Sequence, residues 1–550
     1  MEGIYMILKK YVSTMTLITL MTSSILVGCS SQEKDKVINS SKLLKNKDAR
    51  LAISMAVDKS EITSVILNNG SNPINYYTPE GLAINDEGKD YREIAGNMGS
   101  GYDLKEAQSH WEKAKKDLGF DKVTIEVLTS DAESSKRVGE FFQSQLQKNL
   151  GGMTVEIKQV PFKQKQQLEA QGDYDLVYSS WVADYPDPLT FLETFTTTGK
   201  FGVNSGYDSK GYNYLIEEGK TSANINDSWK KYAKAEELLL SDAFIMPLFQ
   251  SSSAYIQKPY VDGITIIPYG AKYAYKWASA EGRNELNLTS TSDIPSLDMS
   301  RSTDSLSFSA ANNVMEGLVR VDNDGKVVEG IAKSWESSED KKTWTFNLRE
   351  DSKWSNGDKV TANDFEYAFK RTLNPETASQ YGFIMYDIIG AQDYNTGKTK
   401  EAEGVGIKAL DDYTLEIKLN RPVSYFDRLM AFPVFFPQNE KFVANQGDKY
   451  GTTKESTLYN GPFTLTKWKL DDVYIMTKNQ NYWDKNTVKL ESVNTKIVKE
   501  GSADVNLYEN GDIDFVGITN EFIDKYKDTD EFSTSKNATT FFMLINGNKE

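Results

Sequence analysis

The sequence predicts an α/β protein with a parallel sheet, divided into two or three lobes. Three observations lead there. The chain has 550 residues, more than one hydrophobic core normally accommodates. Between residues 123 and 180, strand and helix patterns alternate in the order β-α-β-α-β, which favours parallel strands joined by right-handed crossovers. After Asn284 the texture restarts with a second series of short strands and helices.

From the N-terminus, Lys9-Lys10 and a mostly apolar or small run from Tyr11 to Val27 lead into Leu26-Val27-Gly28-Cys29-Ser30. A basic region, a short apolar core and small residues before a cysteine resemble a bacterial lipoprotein signal over residues 1–28. The chain's single cysteine stands at that position, and a lipid on Cys29 would hold the protein at the outer face of a membrane. Residues 29–42 read as a polar tether. Asp48 is expected to cap a helix that runs through Ala49–Val57 toward Leu67 and ends at Asn68-Asn69-Gly70. Residues 71–100 read as loop, and Leu104–Leu118, closed by Gly119, as a helix.

Val123, Ile125 and Val127 then alternate with polar residues, as on a strand. Val138, Phe141, Phe142, Leu146 and Leu150 share a helical face. Val155 and Ile157 alternate again, a polar helix covers 163–170, and a buried strand pattern runs from Tyr174 to residue 180. The stretch Trp181-Val182-Ala183-Asp184-Tyr185-Pro186-Asp187-Pro188-Leu189-Thr190-Phe191-Leu192 follows. Its prolines break the strand, and Asp187-Pro188 reads as a helix start. Trp181 and Asp184 are thereby expected on the turn at a strand's carboxyl end, where ligands bind in open α/β sheets. A carboxylate beside an indole suits a ligand carrying an ammonium group. A turn-forming Asp beside a core Trp would produce the same pattern.

Trp229–Leu240 reads as a helix, and Ile245–Phe249 and Ala254–Ile256 as extended segments. Residues 276–284 have no hydrophobic period and look like a join. Beyond it come an extended run at Glu285–Leu288 and a helix through Val314–Leu318. Short strands follow at Ala332–Trp335 and Trp344–Arg349, then a helix capped by Thr361 or Asn363. Further β segments open at Asn460 and Asn481, and Phe541–Ile545 is a strand pattern.

The composition narrows the function. The formal net charge is −16, whereas nucleic-acid binding draws on basic patches. One cysteine permits no disulfide within the chain. With His110 as the single histidine, thiolate zinc sites, His-dependent nucleophilic catalysis and nickel or haem capture all lack their side chains. His110 sits in a helical pattern and reads as structural. Asp184 and Asp187, three apart across a Pro-rich turn, are a weak paired-carboxylate signal for a secreted hydrolase. No stretch after the signal is long and apolar enough to span a bilayer. No metal or cofactor is expected.

Ala332…Trp335, Trp344-Thr345-Phe346, Leu348-Arg349, Lys353-Trp354-Ser355-Asn356-Gly357 and Val360-Thr361-Ala362 together resemble the signature block of one family. It comprises the extracellular solute-binding proteins of peptide ABC importers. Leu373-Asn374-Pro375-Glu376-Thr377-Ala378-Ser379, Gly511-Asp512-Ile513-Asp514 and Trp181…Asp184-Tyr185…Pro188…Phe191-Leu192 also fit. The resemblance covers nearly all of residues 43–550, and the nearest look is to Gram-positive oligopeptide-binding lipoproteins, some of which bind peptide pheromones. It implies an α/β, two-lobed periplasmic-binding-protein-like clamshell (type II, peptide-binding class) with an extra third domain. One lobe is then 43–250, residues 251–325 and 456–550 build the other with a join near 278–285, and 326–455 form the extra domain. The halves stand in exchanged order relative to the family, so the sequence resembles a circular permutant. Of two hinge connections that the resemblance implies, this order cuts one, and the link near 250–256 is expected to hold the lobes.

The function that the resemblance implies is a monomeric, non-catalytic receptor at the extracellular face of the cytoplasmic membrane. It captures oligopeptides between its lobes and delivers them to an ABC permease. Asp184 is expected to pair with the peptide's α-amino group, with Trp181, Val182, Ala183 and Tyr185 offering backbone and wall. Tyr381 would touch the peptide from the extra domain. Thr303, Asp304 and Ser305 match the cleft segment of the other lobe, Phe162 an aromatic pocket wall, and Tyr178 a position in the peptide site or plain strand core. Some relatives hold the peptide carboxylate with Arg near the positions of Glu169 and Tyr178. Neither is basic here, which favours longer or open-ended peptides. A dedicated pheromone receptor would use the same cleft.

Overall fold

The computed structural model describes residues 35–85, 87–498 and 501–548, so the signal and Cys29 lie outside the described residues. The expected parallel order is present. Strands β1 (Val37–Ile38), β2 (Lys122–Ser130), β3 (Met153–Val160) and β4 (Leu176–Val182) run parallel in the spatial order β3-β2-β4, with β1 also on β2. The crossovers are α3 (Glu133–Asn149) and α4 (Phe162–Gln171). Before them lie α1 (Lys47–Met55) and α2 (Leu104–Leu118). Ile53, Trp111, Phe142 and Leu146 from these helices form one apolar core with Val127 and Leu176 of the sheet.

Some local signals at helix ends hold, but the helix expected to run from Ala49 toward Leu67 stops at Met55, and the one expected through Val314–Leu318 stops at Val314. Gly119 closes α2 in the left-handed conformation (φ 68°), which glycine adopts without a Cβ clash. Asn68 does the same after a π-helical turn (φ 42°). The cap of α1, however, is Asn46, whose side chain accepts from Ala49 N. Asp48, expected as that cap, sits inside the helix and instead accepts from His110 Nδ1 at 2.7 Å and pairs with Lys113. His110 is thus structural, as expected.

Two long strands connect the lobes. After α5 (Ile225–Asp242), β5 (Ile245–Gln257) merges two expected extended segments into one. Residues 281–284 make an exposed turn, with Gly282 at φ 73°, into β6 (Glu285–Ser290), followed by α6 (Ser305–Val314). The extra domain is an antiparallel sheet of β7 (Ala332–Ser337), β8 (Thr343–Leu348), β9 (Ile407–Asp411) and β10 (Thr414–Lys418), in the order β7-β8-β10-β9. Against it packs α7 (Ala362–Leu373), capped at Thr361, whose N donates to Asp364 Oδ2 at 2.8 Å. The large sheet also takes in β11 (Phe463–Lys469), β12 (Val473–Lys478), β13 (Ser492–Ile497), β14 (Phe515–Ile518) and β15 (Phe532–Ile545). The large sheet reads β1-β2-β4-β15-β5-β14-β6-β13-β12-β11.

The expectation that residues 456–550 belong wholly to the second lobe needs correcting. Residues 539–545 of β15 pair antiparallel with β4 in the first lobe, while 532–536 pair with the distal half of β5. Both β5 and β15 therefore span the lobes, and the link near 250–256 does not hold them alone. Their register shifts between Lys536 and Thr540. There Ala538 N donates to Pro268 O at 3.0 Å, and Ala538 O accepts from Ala183 N at 2.9 Å.

Each lobe also encloses an ion pair. Glu236 of α5, fully buried, accepts from Tyr77 N (2.8 Å), Thr78 N (2.9 Å), the Tyr91 hydroxyl (3.1 Å) and the Arg92 guanidinium. Glu316 does the same for Arg320, the Tyr482 hydroxyl (2.7 Å) and Trp483 Nε1 (2.5 Å). Removing one member leaves the other charge buried, at a cost of about 3–5 kcal/mol. Glu236→Ala is therefore expected to lower the chemical-denaturation midpoint by that equivalent. An unchanged midpoint would contradict this packing.

Candidate functional site

The stretch after β4 is held by Thr190. Its carbonyl accepts from Trp181 Nε1 at 2.7 Å, and its hydroxyl accepts from Asp184 N at 3.0 Å. The Trp181 ring meets Phe201 edge-on, with 5.6 Å between centroids. β4 continues to Val182, beyond the expected end at residue 180, so Trp181 and Val182 lie on the strand and Asp184 opens the turn. Ala183 spends its N–H on Ala538. Asp187 is fully enclosed, with Oδ1 accepting from Leu189 N (2.9 Å) and Oδ2 from Trp229 Nε1 (3.1 Å). Burial pushes its carboxyl up to about 6. Its Oδ1 holds the helix start and its Oδ2 holds Trp229 of α5, so it is not free to act with Asp184 as an acid/base pair.

Asp184 is placed differently. The Tyr381 hydroxyl, from the extra domain, donates to its Oδ1 at 3.3 Å. Burial pushes the carboxyl up to about 6, with Glu193 adding to the rise and Tyr381 and Lys200 opposing it. Among the described residues no ammonium or guanidinium lies within ion-pair distance of it. A half-buried carboxylate with one hydroxyl donor has acceptor capacity left over.

Three parts of the chain converge here. Tyr381 packs edge-on against Phe308 of α6, 5.7 Å between centroids, so the second lobe reaches the same point. Tyr185 stacks flat on Tyr425 of the extra domain at 5.3 Å, and its hydroxyl donates to Glu193 Oε1 at 2.5 Å. A cavity of about 210 Å³ is lined by Val182 from one lobe, by Ser305 and the segment 267–270 from the other, and by Asn537 and Thr539 at the register shift. Val182 is 51% exposed. Beyond Val177, the β2-side edge of β4 carries no strand partner among the described residues.

Other expected residues fall elsewhere. Tyr178 is buried and stacks on Phe541 (5.7 Å), which stacks on Phe249 (4.8 Å). It is strand core, because alternation along β4 turns it away from the face of Trp181. Asp304 caps α6, accepting from Ser307 N and Oγ at 2.8 Å each. Thr303 is exposed, and Phe162 is 60% exposed at the start of α4. Glu169, noted for lacking a basic group, accepts from Lys165 Nζ at 2.7 Å and from Ser179 Oγ at 2.8 Å in a buried cluster. The i,i+4 spacing of Lys165 and Glu169 on a helix was a readable signal for that pair. Lys272, which lines the 210 Å³ cavity, had no such signal. Among the described residues no cluster of His, Cys, Asp or Glu could hold a metal, and no helix is long and apolar enough to cross a membrane.

Two lobes and an extra domain meeting around one carboxylate define a ligand-binding clamshell. Residues 19–202 and 326–550 match the family described as bacterial extracellular solute-binding proteins, family 5. The chain belongs to that family. It is 37% identical over 281 residues to the dipeptide-binding protein DppE of Bacillus subtilis, covering 51% of each chain. It is 39% identical over 240 residues to the oligopeptide-binding protein OppA of the same organism, covering 44% of each. Among solved structures, the substrate-binding domain of an oligopeptide ABC transporter from Bacillus anthracis is 47% identical, covering 45% of this chain and 48% of that one, with a TM-score of 0.45. The chain thus spans about half the length of the relatives it matches.

Tyr381→Phe removes a donor that pulls the Asp184 carboxyl down. The expected result is an Asp184 titration midpoint above about 6, read by infrared difference titration against Asp184→Asn. An unmoved midpoint would deny the contact.

Proposed function

We propose that this protein captures oligopeptides between its lobes and delivers them to an ABC import permease. The observation that carries the reading is the half-buried Asp184 carboxylate, without a cationic partner among the described residues, at the point where both lobes and the extra domain meet. A peptide's α-ammonium would complete it. The unpartnered edge of β4 would hydrogen-bond an extended main chain, giving affinity that does not depend on side-chain identity. Trp181 and Val182 would wall the amino-terminal end, with Ser305 opposite. Family membership and the names of the relatives support peptides as the solute class.

On this reading the protein is a monomeric receptor rather than an enzyme. Cys29 carries the lipid that tethers it to the outer face of the cytoplasmic membrane, near its permease. We also infer that its halves stand in circularly permuted order. In support, Ser40 Oγ and Asn546 N both bond to Asp175, at 2.8 and 2.9 Å, so the segments at residues 40 and 546 lie side by side. The exposed turn at 281–284 suits a join of former termini.

Asp184→Asn tests the central assignment. A charge-assisted hydrogen bond is worth roughly 1.5–3 kcal/mol. Calorimetry is expected to show peptides with a free amine losing about ten- to a hundredfold in affinity, with N-acetylated peptides little changed. Equal losses for both would remove the role.

A further inference from the structure

A pocket opens from the lobe junction into the second lobe. It encloses about 370 Å³, within the usual range of ligand sites, and Lys272 and Ser305 line both it and the 210 Å³ cavity beside Val182. Its walls are largely aromatic. Tyr273 and Tyr275 come from the segment between β5 and β6, Tyr474 from β12 and Phe515 from β14. The first two are fixed by Asn313, whose Oδ1 accepts from Tyr275 N at 2.7 Å and whose Nδ2 donates to Tyr273 O at 2.9 Å. The Tyr273 ring meets Phe515 edge-on, 5.6 Å between centroids.

One acidic residue lines this pocket and neither of the adjoining cavities of about 210 and 470 Å³. It is Asp504, in the first turn of α8 (Gly501–Glu509) and 6% exposed. Its Oδ1 has no hydrogen-bond partner, and among the described residues no ammonium or guanidinium lies within ion-pair distance of the carboxylate. Burial raises its carboxyl above the ordinary carboxylate range, and Thr289 beside it opposes the rise. The positive end of the helix also favours the ionised form. Lys272 does not complete it, since that ammonium donates to Ser253 Oγ at 3.2 Å and stands 5.4 Å from the centroid of the Tyr273 ring. An enclosed carboxylate with an idle oxygen is costly unless a donor completes it. Other buried carboxylates of this lobe are completed. Asp514 accepts from the Tyr260 hydroxyl at 2.6 Å and from Asn287 N at 2.7 Å, and Glu316 holds Arg320.

We propose that this pocket takes one basic side chain of the bound peptide, with Asp504 receiving its cation, so that the protein prefers peptides with Lys or Arg at a single position. The proposal rests on the peptide reading above. The chemistry of the walls matches such a side chain along its length. Leu288, Met476 and the tyrosine rings suit the methylene stem, and the carboxylate supplies a charge-assisted acceptor for the tip. Asp504 is then a specificity-determining residue, in a cleft whose main-chain contacts do not read side chains.

The test uses the mature protein and alanine-based hexapeptides with free amino termini. Lys, Arg or norleucine is placed singly at each position from the second to the sixth, and affinities are measured by calorimetry. At one position the Lys and Arg peptides are expected to bind about tenfold or more tighter than the norleucine peptide. Asp504→Asn is expected to abolish that preference and leave the all-alanine peptide unchanged, while Asp504→Glu keeps part of it. No position with a preference, or a preference that survives Asp504→Asn, would overturn the proposal. So would an equal gain at every position, which is what the net charge of −16 alone would produce. The all-alanine peptide reports the fold of each variant. If Asp504→Asn fails to bind it, Ala310→Met, which narrows the pocket from α6 and leaves the carboxylate in place, decides in the same way. Failure of the unsubstituted protein to bind any hexapeptide, or equal binding of N-acetylated forms, would count against the peptide reading itself and is separable from the Asp504 result.

Discussion

The structure depends on β5 and β15 running side by side through both lobes. At roughly 3.4 Å per residue, strands of 13 and 14 residues span more than 40 Å, long enough to belong to two cores at once. Their ladder slips between Lys536 and Thr540, and again between Phe541 and Phe542. A slip of this kind bends a strand and frees backbone groups from the ladder. Here the freed groups of Ala538 bond sideways, to Ala183 of one lobe and Pro268 of the other. The irregularity therefore fixes where the two walls of the cleft meet, and Asp184 lies one residue beyond it.

Around that point the chain collects groups that have unused bonding capacity. Asp184 is half-buried with one hydroxyl donor, and Lys272 is half-buried with one hydroxyl acceptor and the Tyr273 ring 5.4 Å away. In ordinary cores such groups are paired, as Glu236 is with Arg92 and Glu316 with Arg320. The contrast separates structural charges from binding charges within one molecule. Asp187 shows the same division at short range. Three residues from Asp184 and equally displaced toward 6 by burial, it has both oxygens occupied by N–H donors and holds the helix start. Polar atoms left incomplete at a lobe junction are where a charged, extended ligand fits.

The sequence made the local features legible. Leu104–Leu118 carries a helical pattern and a closing Gly119, and the helix has those bounds. The parallel order of β2, β3 and β4 followed from alternation because crossover handedness leaves little choice. What it left open was set by distant partners. β4 extends through Val182 because Trp181 and Val182 pair with Thr540 and Thr539, more than 350 residues away. Asp48 was taken from α1 as a cap because His110 and Lys113 offered it stronger partners. The meeting of Asp184 with Tyr381 was reachable through family resemblance, since nothing local links residues 197 positions apart. Lys272 was invisible because a lysine on a Gly- and Tyr-rich segment reads as solvated until its burial is known.

The account stands or falls on Asp184 acting as the carboxylate that receives an amine. Burial, the main cause, holds that carboxyl at about 6, so it is ionised above that pH and protonated below it, while a peptide's α-ammonium stays charged up to about 7. The most direct measurement is the dissociation constant of one peptide, with a free and with an acetylated amino terminus, between about pH 5 and 7. The free-amine peptide should bind fully near pH 7 and lose affinity as the pH falls through about 6, while the acetylated one stays level. Parallel curves for the two peptides across that range would contradict the account.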